Sequence, residues 1–287
     1  ARPPRRCVRR PRRPAAASGG ARTFGVVVLV LLVLAGLALA ALLLGLVPSN
    51  LVARARARLP ASLPLPSALP AVLGGAPEGM VQVPAAELAL GCVAEDPACS
   101  PDERPPELRS MPALWVDRTE VSHADYQRCV AAGRCAALTA RDPLCSVAAA
   151  EARARWPVSC VDAEQAETYC RAQDKRLPTA AEWEFAARSG QSLIYPWGAT
   201  EPSCARANLG GCGGEPRPVG SLPDGASGLG VLDLAGNVWE WTADGVPNRR
   251  EIRGGSFLDG ARTLRASNRG WADARTQIPS IGFRCVR

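Results

Sequence analysis

Histidine and lysine are nearly absent from this sequence: the 287 residues contain one of each, His123 and Lys175. Within these residues a single histidine excludes an iron centre held by several histidines and a histidine-rich zinc centre. A Ser-His-Asp hydrolase could use only His123, which we expect to face solvent in the first turn of a predicted helix. No glycine loop followed by lysine is present to hold a nucleotide phosphate. The commonest catalytic arrangements are therefore missing.

Acidic side chains are missing from residues 1–58, which contain eleven arginines. That leaves 23 basic and 27 acidic side chains in residues 59–287, so the net charge of +7 belongs to the front of the chain. A nucleic-acid surface needs clustered positive charge on the fold itself. We therefore expect no nucleic-acid partner.

An uncharged apolar run covers residues 24–47. As a helix it spans about 36 Å, enough to cross a bilayer core. A cleaved signal peptide is the alternative, although its apolar region usually runs only about 7–15 residues. Eight arginines precede the run and three follow it, which predicts a cytoplasmic N-terminus. We expect a single-pass inner-membrane protein with four parts: a basic cytoplasmic arm (1–23), a transmembrane helix (24–47), a proline-rich linker (48–78) and an extracytoplasmic, periplasmic domain (79–287).

Short helices and strands separated by long loops are predicted for residues 79–287. Caps at Ser122, Asp162 and Thr179 each precede an amphipathic run, and Thr179 with Glu182 forms a capping box. The apolar patterns also predict short strands. These lie at 80–88 with a break at Pro84, 114–121, 253–257, 264–269 and 282–286. The fold class that follows is a single α+β domain.

Ten of the eleven cysteines follow the apolar run, whereas Cys7 precedes it. An even set of this kind predicts a disulfide framework in an oxidising compartment. Zinc is the alternative, but no CxxC pair is present. Nearest-neighbour spacing suggests four bridges and leaves a fifth for the remaining two cysteines: Cys92–Cys99, Cys129–Cys135, Cys145–Cys160, Cys204–Cys212 and Cys170–Cys285.

The stretch GLGVLDLAGNVWEW, residues 228–241, combines two acids with three glycines and two tryptophans. Asp233 and Glu240 flank the turn at Gly236, so two carboxylates and several carbonyl oxygens could converge on one cation. Oxygen ligands favour calcium over softer metals. The alternative is a tryptophan-rich core hairpin whose acids only cap turns.

Eight separated stretches occur in an order that resembles the formylglycine-generating enzyme, or sulfatase-modifying factor, family. They are RTEVSHADYQRCV, PVSCVDAEQAETYC, KRLPTAAEWEFAAR, YPWG, PVGS, GLGVLDLAGNVWEW, RGGSF and GFRCVR. The resemblance covers residues 79–287 and implies a C-type-lectin-like α+β fold with little regular structure.

Calcium and one disulfide are also implied by the resemblance. The family's calcium site corresponds to Asp233, Gly236, Val238 and Glu240, the middle two through their carbonyl oxygens. A second calcium site begins at the positions of Asn208 and Leu209, but its other ligands fall where this chain is shortened. The Cys170–Cys285 bridge matches a disulfide of the family.

Copper is the point at which the sequence departs from the family. Members that oxidise a substrate cysteine to formylglycine bind copper through two cysteines after the GGS motif. Here Asp259 stands at the first position, and residues 263–265 (Thr-Leu-Arg) stand in the region of the second. A carboxylate and a leucine cannot replace two thiolates for Cu(I), so we expect no copper.

The resemblance leaves two hypotheses about function. The first is a membrane-anchored, non-catalytic module that binds or senses an unidentified protein or peptide. The second is an active oxidoreductase of the family with altered chemistry. Trp239 and Ser256 match positions that line the family's active cleft, so a pocket is expected in either case. Its candidate residues are Trp239, Ser256, Asp259, Arg265 and Arg269.

Overall fold

A computed structural model describes residues 77–139, 142–145 and 153–287. The predicted arm, transmembrane helix and almost all of the linker lie outside these residues. In the part of the chain that the structure describes, no helix is long and apolar enough to cross a membrane.

The described residues contain three α-helices, and each begins where its cap predicts. They are α1 (His123–Ala131), α2 (Ala163–Ala172) and α3 (Ala180–Arg188). The side chains of Ser122, Asp162 and Thr179 accept hydrogen bonds from backbone N–H groups of the first turns, and α2 and α3 carry complete capping boxes.

His123 contradicts the expectation that it faces solvent. It is only 7% exposed. The backbone N–H groups of His123 and Ala124 donate to the carbonyls of Trp156 and Ala154. This segment therefore covers the first turn of α1. Burial and the charge of Arg153 lower the pKa of His123, so the imidazole is held in its neutral form.

Two antiparallel strand pairs form the first half of the domain. The strands are β1 (Met80–Val83), β2 (Ala86–Leu90), β3 (Glu107–Met111) and β4 (Leu114–Asp117), with β1 on β4 and β2 on β3. The predicted break at Pro84 is confirmed. The predicted strand 114–121 is too long, because after Asp117 the chain leaves β1 and the Val121 N–H donates to the carbonyl of Phe283 instead.

A four-stranded sheet with the order β7-β6-β5-β8 forms the second half. Its strands are β5 (Trp239–Val246), β6 (Arg249–Arg253), β7 (Gly270–Asp273) and β8 (Ile281–Gly282), with β8 parallel to β5. The predicted strand 264–269 is wrong, and the predicted strands 253–257 and 282–286 are right only at their first residues, Arg253 and Gly282. Strand β6 ends at Arg253 because Gly254 and Gly255 have φ of 95° and 75°, which β-structure does not accommodate.

The C-terminal segment belongs to the core. Phe283 is fully buried against Tyr169, and Val286 forms isolated bridges with both Val116 and Arg176. The Cys170–Cys285 disulfide ties the same segment to α2 across 115 residues of sequence. These contacts hold the end of the chain between the two halves of the domain.

All ten cysteines of the described residues form disulfides, in the five pairs that the spacing suggests. They are Cys92–Cys99, Cys129–Cys135, Cys145–Cys160, Cys170–Cys285 and Cys204–Cys212.

Candidate functional site

The turn before β5 brings the predicted calcium ligands together by its backbone geometry. Asp233, Gly236 and Asn237 have φ of 60°, 83° and 63°, in the left-handed region. A Cβ atom on Gly236 would lie 2.2 Å from the carbonyl oxygen of Asn208, so only glycine fits at this position. Asp233 and Glu240 therefore lie before and after a turn whose backbone packs directly against Asn208.

Glu240 is fully buried and paired with an arginine from the C-terminal segment. Its carboxylate accepts from Nε and a terminal nitrogen of Arg284, each at 2.7 Å, and from the indole N–H of Trp183 at 2.7 Å. Trp241 is fully buried in the core cluster that Trp239 packs against, whereas Glu240 pairs with Arg284 and Trp183.

Glu120 is a third carboxylate of this centre, which sequence reasoning missed. It accepts from Asn237 Nδ2 at 3.0 Å and from the Val238 N–H at 3.4 Å. Burial, followed by the charges of Asp233 and Glu240, raises its pKa well above the ordinary value. Burial also raises the pKa of Asp233, whose Oδ2 accepts from the Gly220 N–H at 2.6 Å.

The charges of the centre fit a divalent cation. Three carboxyl groups, Glu120, Asp233 and Glu240, face one guanidinium, Arg284, so ionisation of all three leaves an excess of two negative charges. Carboxylate and carbonyl oxygens are the ligands that calcium prefers. Among the described residues, the three carboxylates do not form a group whose oxygens all lie within 4.8 Å of one another. The donors fit calcium by chemistry and charge, but they are not a closed cage.

One tighter acidic group lies elsewhere and is already neutralised. Asp96 and Glu103 lie close together beside Cys99. The guanidinium of Arg265 bonds both carboxylates at 2.6–2.7 Å, and Cys99 is in a disulfide. This group therefore needs no metal.

Asn208 and Leu209, the positions of the second calcium site that the resemblance implies, form hydrogen bonds within the protein. The Leu209 carbonyl accepts from the Cys212 N–H at 3.0 Å. Asn208 Nδ2 donates to the Glu215 carbonyl and to Asn237 Oδ1, whereas its own Oδ1 is buried without a hydrogen-bond partner. Of the oxygens of Asn208 and Leu209, only Asn208 Oδ1 is left without a hydrogen-bond partner.

Three of the five candidate cleft residues lie together. Asp259 Oδ2 accepts from the Ser256 hydroxyl at 2.5 Å, the Ser256 N–H at 3.0 Å and the Trp239 indole N–H at 3.0 Å. The Ser256 hydroxyl is a donor to a carboxylate, and the Leu258 N–H donates to its oxygen. This arrangement fixes Asp259 by three donors and makes its carboxylate the acceptor of the Ser256 hydroxyl proton.

The other two candidates do not join them. Arg265 is 1% exposed and belongs to the Asp96–Glu103 group, so its assignment to the cleft is wrong. Arg269 is half-buried and lines a small cavity of about 160 Å³ beside Glu251 and Arg253. Leu264, in the region of the second copper cysteine, is fully buried in an apolar cluster.

A polar cavity of about 670 Å³ adjoins the group of Asp233, Glu240 and Glu120 at Glu120. Its walls carry both signs of charge, including the Lys175–Asp117 pair at 2.6 Å and the Arg128–Asp125 pair. Tyr169 and Arg134 also line this cavity. A cavity of this composition suits a polar, charged segment rather than an apolar ligand.

Glu120 and Arg284 could not be found from local patterns. Glu120 is 117 residues from Asn237, and Arg284 is 44 residues from Glu240. Both lie inside stretches quoted for the family resemblance, which was the only signal pointing to them.

Comparison with known proteins gives one family. Residues 70–287 match the model described as Sulfatase-modifying factor enzyme 1-like domain. A hercynine oxygenase of Mycobacterium tuberculosis is 33% identical over 233 residues, which are 63% of this chain and 54% of that protein. An inactive C-alpha-formylglycine-generating enzyme 2 of Bos taurus is 35% identical over 153 residues, 46% of this chain and 50% of that protein.

Solved structures agree. The structure of PvdO from Pseudomonas aeruginosa matches with a TM-score of 0.62 and 25% identity, covering 72% of this chain and 93% of that one. The chain spans about half the length of the curated relatives it matches.

Proposed function

This chain belongs to the family of the sulfatase-modifying factor enzyme 1-like domain, and we propose that it acts as a calcium-stabilised binding or sensing module rather than as a copper oxidase. In this proposal the domain lies on the outer side of the inner membrane. The transmembrane helix at residues 24–47 holds it there, and its ligand is a protein or peptide.

The observation that carries the proposal is the absence of a free thiolate in the described residues. All ten of their cysteines form disulfides, so none is available to bind Cu(I). At the two positions that the resemblance assigns to copper, Asp259 is held by Ser256 and Trp239, and Leu264 is packed in an apolar cluster.

Calcium in this proposal is bound by Asp233, Glu240, Glu120 and the carbonyls of Gly236 and Val238. The ion supplies two positive charges to a buried group that carries two excess negative charges. Its role is structural, because it would join the turn before β5 to the segment that precedes α1. The polar cavity beside Glu120 is the surface at which we place the ligand.

Export across the membrane is supported by the disulfide framework. Disulfides form and persist in oxidising compartments and are rare in the cytosol. Five bridges in the described residues therefore favour a domain outside the cytoplasm, which agrees with the arginine distribution around residues 24–47.

An active oxidoreductase is the second candidate, and the relatives favour it. Proteins named hercynine oxygenase and formylglycine-generating enzyme are 33% identical to this chain. His123 is the only histidine of the 287 residues and is buried, so a histidine-bound iron would have to be supplied by another polypeptide segment.

Free-thiol counting combined with a peptide assay distinguishes the two candidates. The full chain is denatured without reductant, alkylated and measured by mass spectrometry. We expect one labelled cysteine, Cys7, and none in a Cys7→Ser control. The native chain is then incubated with copper and a cysteine peptide of the sulfatase type. Two further labelled cysteines, or a formylglycine product, would overturn the binding-module proposal.

A further inference from the structure

The side chain of Arg217 closes the loop of residues 204–217, CARANLGGCGGEPR. The guanidinium of Arg217 donates to the carbonyl of Cys204 at 3.1 Å and to the carbonyl of Cys212 at 2.9 Å. These are the two residues joined by the Cys204–Cys212 disulfide. One arginine and one covalent bond therefore hold the same two points of the loop.

Asn237 connects this loop to the turn before β5. Its Oδ1 accepts from Asn208 Nδ2 at 3.1 Å and from the Arg217 N–H at 2.9 Å, and its N–H donates to the Asn208 carbonyl at 2.8 Å. The loop is fixed to the body of the domain by direct hydrogen bonds.

A calcium ion does not fit the loop as the structure has it. Calcium takes six to eight oxygen ligands, usually with carboxylates among them. Glu215, the only acid of the loop, is exposed, and the Leu209 carbonyl is used by the Cys212 N–H. The orphaned Asn208 Oδ1 is one acceptor, which a single water satisfies. A guanidinium fixed in the same loop also disfavours a second cation.

We propose that Arg217, together with the Cys204–Cys212 disulfide, replaces the second calcium ion that the family resemblance implies at Asn208 and Leu209. The loop 204–217 is then independent of calcium, whereas the centre at Asp233 is not. A cation carried by a side chain cannot be removed by a chelator, so the loop keeps its structure where free calcium is scarce.

The experiment must distinguish calcium binding at the loop from calcium binding at the first centre, which is the group of Asp233, Glu240 and Glu120, because Asn237 contacts both. Asp233→Asn removes a ligand of the first centre and leaves the loop intact. In this background of the full chain, hydrogen exchange of the loop amides is measured by mass spectrometry with EDTA and with calcium. We expect the same exchange rates in both. Slower exchange with calcium would show an ion bound at the loop and would overturn the proposal.

Substitution of Arg217 tests its part directly. Arg217→Gln should speed exchange of the loop amides by about tenfold, the effect expected for loss of the charged hydrogen bonds, and calcium should not reverse it. Arg206→Gln is the matched control, since it removes one positive charge from the same loop without touching the Cys204 and Cys212 carbonyls. Equal effects of the two variants, or recovery of Arg217→Gln by calcium, would refute a specific role for Arg217.

Discussion

Asp233→Asn should change the melting temperature in opposite directions with and without calcium. In the absence of calcium, burial raises the pKa of both Asp233 and Glu120, and the charge of Asp233 raises that of Glu120 further, so these groups destabilise the folded state at neutral pH. The amide removes one charge, can donate to Glu120 and keeps an oxygen for the Gly220 N–H. The variant should therefore be more stable than the wild type in EDTA.

The magnitude follows from linkage. Calcium at about 100 times its dissociation constant stabilises the folded state by about 2.7 kcal/mol. For a domain of this size each kcal/mol shifts the melting temperature by about 2–4 °C, so the wild type should gain roughly 5–10 °C from calcium. The neutral amide removes the charge that raises the pKa of Glu120, so the free energy of unfolding of the variant in EDTA should rise by about 1 kcal/mol, or roughly 2–4 °C.

Differential scanning fluorimetry of the full chain is a sufficient assay, in EDTA, in calcium and in magnesium. The wild type should respond to calcium, and Asp233→Asn should not. A wild-type melting temperature that is the same in EDTA and calcium would refute the metal assignment. A calcium response retained by the variant would show that Asp233 is not a ligand.

Three further predictions concern neighbouring groups. Glu240→Gln should lower the free energy of unfolding by about 3–5 kcal/mol in EDTA as well as in calcium, because Arg284 is left buried with a broken ion pair. Urea denaturation measures this loss, and a loss seen only with calcium would contradict the Glu240–Arg284 ion pair. His123 has a lowered pKa, so its contribution to stability is present above its unfolded value of about 6.5 and is lost as the pH falls through the folded value. His123→Asn should reduce the difference between urea midpoints at pH 7 and pH 5, and an unchanged difference would exclude His123 as its source. Asp259→Ala should lower the free energy of unfolding by about 1–3 kcal/mol, because the Trp239 indole N–H loses its acceptor. The same variant should change no copper-dependent turnover, and a loss of turnover would instead support the oxidoreductase.

The sequence predicted what is determined locally. The helix starts follow from caps three residues from the N–H groups they bind, as at Thr179 and Glu182. The cysteine pairs were found because four of the five join neighbours in sequence. The late strands were misplaced because pairing partners decide where a strand lies: the segment 253–257 contains Gly254 and Gly255, and the chain there turns away from β5.

Only the part of the candidate site that lies within one turn of the chain was predicted from the sequence. Asp233 and Glu240 are seven residues apart, so their convergence is visible in the sequence. Glu120 and Arg284 come from distant segments, and no local pattern assigns them. Arg265 was misassigned for the same reason: its partner Glu103 is 162 residues away and removes its guanidinium from the cleft.

The burial of Phe283, Cys285 and Val286 has a consequence for biosynthesis. These residues complete the core and bridge strands laid down more than a hundred residues earlier, so the domain cannot reach its final packing until residue 286 has been made. A nascent chain that lacks residues 283–286 therefore stays short of its native packing throughout most of its synthesis. Late completion of the core suits the export proposed above, because a folded domain does not pass through a narrow translocation channel.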